Sequence, residues 1–128
     1  MKKALTVALI LFVICTISTV GYLLITLGLK DGQNLKLSGV DPSQCKNGTF
    51  VGQYQEGRWT NMISVTVKDG RITFIKLLKD VAFADEKVTK EIFDRVMKEQ
   101  NTNIDVVTGA TVTSKAYLKS IESALFHS

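Results

Sequence analysis

Residues 62–78 read MISVTVKDGRITFIKLL, and this stretch decides the fold. Two runs rich in β-branched residues, Met62 to Lys68 and Arg71 to Leu78, flank the dipeptide Asp69-Gly70. Asp-Gly tolerates the positive φ angles of a tight two-residue turn, so the pattern specifies an antiparallel hairpin. In the first run Ile63, Val65 and Val67 share one face. In the second, Ile72, Phe74 and Lys76 alternate with Thr73, Ile75 and Leu77. That run becomes apolar on both sides toward its end, which predicts a central strand or one covered by helices.

Upstream, Thr49 to Gln55 alternates around Phe50 and Tyr54 and reads as a further strand, with Gly57 to Asn61 as a turn. Downstream the period changes. Within Asp85 to Gln100, residues Val88, Ile92, Phe93, Val96 and Met97 fall at the spacing of an amphipathic helix. Asp85 and Glu86 at its start and Lys98 near its end suit the helix dipole. Ser114 to Phe126 reads as a second helix, with Leu118, Ile121 and Leu125 on one side and Ser114 as its N-cap. The expected class is α+β: an antiparallel sheet packed by about two helices, occupying residues 48–128. Residues 30–47 are polar, contain the only proline and show no period, so they read as a linker.

Ala4 to Leu29 carries no charged residue. As a helix it would span roughly 39 Å at about 1.5 Å per residue, more than the ~30 Å hydrocarbon core of a bilayer. Residues 1–29 are therefore expected to form one N-terminal transmembrane helix. A cleaved signal peptide would have a shorter apolar region and a small-residue site, of which Thr16 to Gly21 is a poor version. Lipid attachment at Cys15 is disfavoured by Ile14 before it, where a small residue is wanted. Lys2 and Lys3 precede the segment, so the positive-inside rule places the N-terminus in the cytoplasm and the body on the extracytoplasmic side.

The formal net charge is +4, and half of it comes from those two membrane-flanking lysines. The remainder is too small to suggest nucleic-acid binding, which needs a clustered basic face. Cys15 and Cys45 sit in segments of different character and are poor disulfide partners. No Cys/His cluster has metal-ligand spacing, and the single histidine, His127, reads as solvated.

Between the two expected helices lies Asn103 to Ser114, NIDVVTGATVTS. Gly109 permits a tight turn and close backbone approach. Thr108, Thr111, Thr113 and Ser114 offer hydroxyl donors, and a helix beginning near Ser114 adds free N–H groups and a positive dipole end. These features suit a phosphate. They also suit an ordinary capped helix start, and the local physics leaves both readings open.

Asp105-Val106-Val107-Thr108-Gly109-Ala110-Thr111 resembles the flavinylation motif of the FMN-binding domain family: an Asp, two variable residues, Ser/Thr-Gly-Ala and the acceptor Thr. The family includes flavin subunits of bacterial membrane redox complexes and extracellular electron-transfer flavoproteins. The similarity runs roughly from Lys46 to Leu125 and includes Asn47 to Gly52, Ile63 to Ile72 and Val112 to Ala116. The resemblance implies FMN joined covalently through a phosphoester on Thr111. A separate flavin transferase with FAD as donor and a divalent metal would attach it. Asp105 would serve transferase recognition or the turn, with a plain loop cap as the competing reading. Backbone groups near Gly109 and Ala110 would hold the phosphate. Tyr54 and Trp59 could flank the flavin ring or simply pack. Arg58-Trp59-Thr60-Asn61 follows a single Gly57 where many family members carry further glycines.

The expected function is a membrane-anchored, extracytoplasmic electron carrier with membrane or extracytoplasmic redox partners. The alternative is a non-redox anchored module that binds FMN reversibly or acts as an adaptor. A stand-alone enzyme lacks an acid/base or nucleophile constellation in this sequence.

Overall fold

The computed structural model describes residues 1–128. Its elements are α1 (Lys2–Thr26), α2 (Leu29–Gln33), β1 (Gly48–Tyr54), β2 (Asn61–Lys68), β3 (Arg71–Lys79), α3 (Glu86–Glu99) and α4 (Thr111–Phe126). Short 3₁₀ turns occupy Pro42–Gln44 and Gly57–Trp59. The class is α+β, as expected.

The three strands form one antiparallel sheet in the order β1-β2-β3. β2 is central, and Ile63, Val65 and Val67 are buried on its inner face. β3 is an edge strand and not a central one, and α3 packs against it, the other arrangement expected. Val67 pairs with Ile72 but Thr66 pairs with Phe74, so Thr73 is an extra residue; Leu78 is another, between the pairs Ile63–Leu77 and Met62–Lys79. A bulge shifts the face on which following side chains lie. Ile72 is therefore grouped with Ile75 and Leu77 at the core, while Phe74 and Leu78 are exposed. The open edge is partly covered by Gln100. Its Oε1 accepts from the Ile72 N–H at 2.7 Å and its Nε2 donates to the Ile72 carbonyl at 3.1 Å.

α4 lies directly on the sheet. A Cβ at Gly52 of β1 would stand 1.8 Å from the Ser120 carbonyl oxygen, so only glycine allows this approach. The anchoring stripe of α4 is as expected, with Leu118, Ile121 and Leu125 buried, but Ala116, Tyr117, Ser120 and Glu122 are buried as well. α3 covers the flank with Ile92 and Val96. Asp85 caps it by accepting from the Lys87 N–H at 2.9 Å.

The buried polar side chains beneath α4 are paired. Ser120 donates to Asn61 Oδ1 at 2.6 Å, and Asn61 Nδ2 donates to the Trp59 carbonyl. The fully buried Glu122 carboxylate accepts from the Ser38 N–H, the Thr102 hydroxyl and Lys119 Nζ, each within 3.1 Å. Through Ser38, this network ties down the stretch expected to be a linker. Val40 and Pro42 are buried, and the Val40 N–H donates to Thr102. Residues 30–47 thus pack on the domain instead of running free.

α1 has no buried residue. At about 1.5 Å per residue it reaches beyond the ~30 Å needed to cross a hydrocarbon core. It is one N-terminal helix long and apolar enough to span a membrane. It stops at Thr26, before the Leu29 limit of the uncharged segment, because Gly28 adopts a left-handed conformation (φ 85°).

Candidate functional site

The loop between α3 and α4 is held from behind. Arg95 on α3 donates from one Nη1 to the Asp105 and Val106 carbonyls, at 3.0 and 3.2 Å, while its Nε pairs with Glu91. Val107 to Ala110 then closes a turn in which the Ala110 N–H donates to the Val107 carbonyl. Gly109 takes φ 83° in that turn, with open space around its α-carbon.

α4 starts at Thr111, three residues before the expected Ser114. The Ser114 N–H already donates to the Ala110 carbonyl, which makes Ala110 the N-cap position. Ser114 is therefore not the cap. It is fully buried, and its hydroxyl oxygen accepts from the Val107 N–H at 3.2 Å. β-branched residues usually disfavour helix because they crowd the preceding turn. In a first turn there is no preceding turn to crowd, so Thr111, Val112 and Thr113 are accommodated.

Helix geometry leaves the first N–H groups without intrahelical partners. Here the N–H groups of Thr111, Val112 and Thr113 receive no side-chain cap and no loop carbonyl. The Ala110 N–H, expected to face a phosphate, is instead used by the turn. Thr111 is exposed, and its hydroxyl makes no hydrogen bond within the chain.

Gly109 to Thr113 line an open cavity of about 400 Å³, together with Leu29 and Gln33 of α2 and with Arg58 and Trp59 of the 3₁₀ turn. This volume falls in the range of small-molecule sites, about 300–1,000 Å³. α2 is fastened to the same helix start: a Cβ on Gly32 would overlap Val112, and Lys115 Nζ donates to the Gln33 carbonyl at 2.9 Å. The end of α1 is equally close, with the Leu27 carbonyl 2.5 Å from where a Gly57 Cβ would sit. The cavity therefore lies immediately beyond the apolar helix.

The other expected site residues lie elsewhere. Asp105 and Thr108 face a larger groove of about 970 Å³, lined mainly by charged side chains of α3. The Asp105 carboxylate is exposed and makes no ion pair, which leaves the loop-cap reading without a contact. Tyr54 does not line the cavity. It is half-buried against the core, and burial together with Glu56 and Asp31 pushes its hydroxyl above the ordinary tyrosine pKa. Trp59 does line it but is buried beneath Arg58, whose guanidinium carbon stands 4.2 Å from the indole centroid. The indole face is thus occupied by a cation. Arg58, Arg95 and Lys115 were not anticipated, since single basic residues in polar stretches carry no periodic signal.

A model of the FMN-binding domain family matches residues 57–126, more than half of the chain. No curated protein matches the chain. No solved structure matches it either.

Proposed function

The chain belongs to the FMN-binding domain family, and from that membership we propose that it is a membrane-anchored flavoprotein that carries FMN on Thr111 and relays electrons on the extracytoplasmic side. The observation that carries this reading is the free Thr111 hydroxyl, set at a helix start whose first three N–H groups are unbonded and which lines a ligand-sized cavity.

These residues fit the group. The N–H groups of Thr111 to Thr113 and the dipole of α4 would hold an anionic phosphate, the Thr113 hydroxyl adds a donor, and the open space at Gly109 admits it. Thr111 has no base beside it, which suits an acceptor acted on by a separate transferase. In that transfer the Thr111 oxygen gains the FMN phosphoryl group, the diphosphate bond of FAD breaks, AMP leaves, and the hydroxyl proton goes to the transferase. Bound flavin supplies one- or two-electron redox chemistry; the protein supplies position and electrostatics. Leu29 and Gln33 line the cavity directly after α1, so a cofactor here would sit near the membrane surface and close to a membrane-bound partner.

The test is to express the chain with a flavin transferase in an exporting host and run it on a denaturing gel. A fluorescent band that bleaches on chemical reduction is expected. A dark band, with the transferase active on a control acceptor, would sink the covalent reading and favour an adaptor or reversible binding.

A further inference from the structure

Arg58 stands out among the basic residues. Its guanidinium lies 4.2 Å from the Trp59 ring centroid and 5.9 Å from that of Phe83, a cation over two aromatic rings. It takes part in none of the three ion pairs of the chain. Its Nε is buried and has no hydrogen-bond partner. Leaving a charged donor buried and unpaired is costly, and such groups call for an explanation. The placement is also fixed by the backbone, since the Arg58 carbonyl accepts from the Ala82 N–H at 2.8 Å. Phe83, next to Ala82, adopts φ 57°, a left-handed conformation rare for a bulky side chain. A strained residue thus sets the second ring beside the cation.

Arg58 lines the same cavity as Gly109 to Thr113. That cavity joins an unpaired guanidinium to three unbonded N–H groups and the Thr111 and Thr113 hydroxyls, all donors and all without an acceptor. We propose that Arg58 pairs with the phosphate of FMN at Thr111, so that the site distinguishes FMN from flavins that lack the phosphate. The inference rests on the FMN reading above. A guanidinium offers paired N–H donors that match the oxygens of a phosphate. Trp59 is then the platform of the arginine and not a partner of the flavin ring.

The test uses full-length, flavin-free protein in detergent micelles, titrated with FMN and with riboflavin and followed by flavin fluorescence. Wild type is expected to bind FMN more tightly than riboflavin. Arg58→Gln should weaken FMN by about ten- to a hundredfold, the loss expected for a hydrogen bond to a charged group. Riboflavin binding should be unchanged, which also reports that the variant is folded. Arg58→Lys should fall between, because it keeps the charge but loses the fork. Equal FMN affinity in wild type and Arg58→Gln, equal loss for both flavins, or no preference in wild type would each overturn the inference. Wild type that binds neither flavin also overturns it, and if the transferase then leaves the chain unmodified, the FMN reading falls too.

Discussion

The loop from Asp105 to Thr113 faces two surfaces that differ in character. Its outer half, with Asp105 and Thr108, borders a wide groove of charged side chains on α3. Its inner half, Gly109 to Thr113, closes a cavity less than half that size beside α2 and the Gly57–Trp59 turn. The Asp105 and Thr108 side chains make no hydrogen bond, although Arg95 and Ser114 hold the backbone of Asp105 to Val107, whereas the inner half is braced by Val112 against Gly32, beside Lys115 on Gln33. A small braced cavity suits a cofactor that must be held in one place. An open charged groove suits a macromolecular visitor, and on the proposed function it is where a transferase would read Asp105. On the proposed function, one continuous run of residues divides holding from recognition.

This division can be broken by substitutions on its two sides. The largest stability effect is expected at Gly109, where valine would have to adopt φ 83°; a loss of about 2 kcal/mol is expected in denaturant unfolding. Ser114→Ala removes the acceptor of the Val107 N–H and should cost about 1 kcal/mol by the same measurement. Asp105→Asn should change stability by less than about 0.5 kcal/mol, because the carboxylate is exposed, yet it should slow flavin attachment by the transferase. Equal stability losses for Gly109→Val and Asp105→Asn would erase the distinction between the two halves.

The smallest signal is expected far along α4. Tyr117 donates to Asp80 Oδ1 and packs edge-on against Phe93. Burial, and then the bond to Asp80, raise its pKa above the ordinary tyrosine value. A raised folded pKa means that the unfolded chain loses the proton first. This contribution is therefore intact below about pH 10 and declines as pH rises above that point. Urea titrations from pH 8 to 11 should show the decline in wild type and a shallower one in Tyr117→Phe. Identical slopes would contradict it.

Much of the fold was legible because its signals are periodic or local. The hairpin at Asp69-Gly70, the face of Ile63, Val65 and Val67, and the stripe of α3 all follow from spacing alone. The bulges at Thr73 and Leu78 were not legible, since an inserted residue has no composition of its own, and they shift which side chains of β3 face the core. The packing of residues 30–47 was hidden for a related reason. It works through the Ser38 and Val40 N–H groups and a bare Gly32, none of which leaves an apolar pattern. At the site, Thr108 to Thr111 was visible as a hydroxyl-rich turn before a helix, but the helix start was read late because threonine argues against helix where turns stack. Arg58 could be found only once the fold had set it beside Trp59 and the cavity.

The most direct test of a covalent flavin at Thr111 is the intact mass of the full chain made with and without a flavin transferase, beside Thr111→Val. The expected result is a transferase-dependent gain of one FMN less one water in wild type and no gain in Thr111→Val. The same gain in Thr111→Val, or none in wild type, would contradict it.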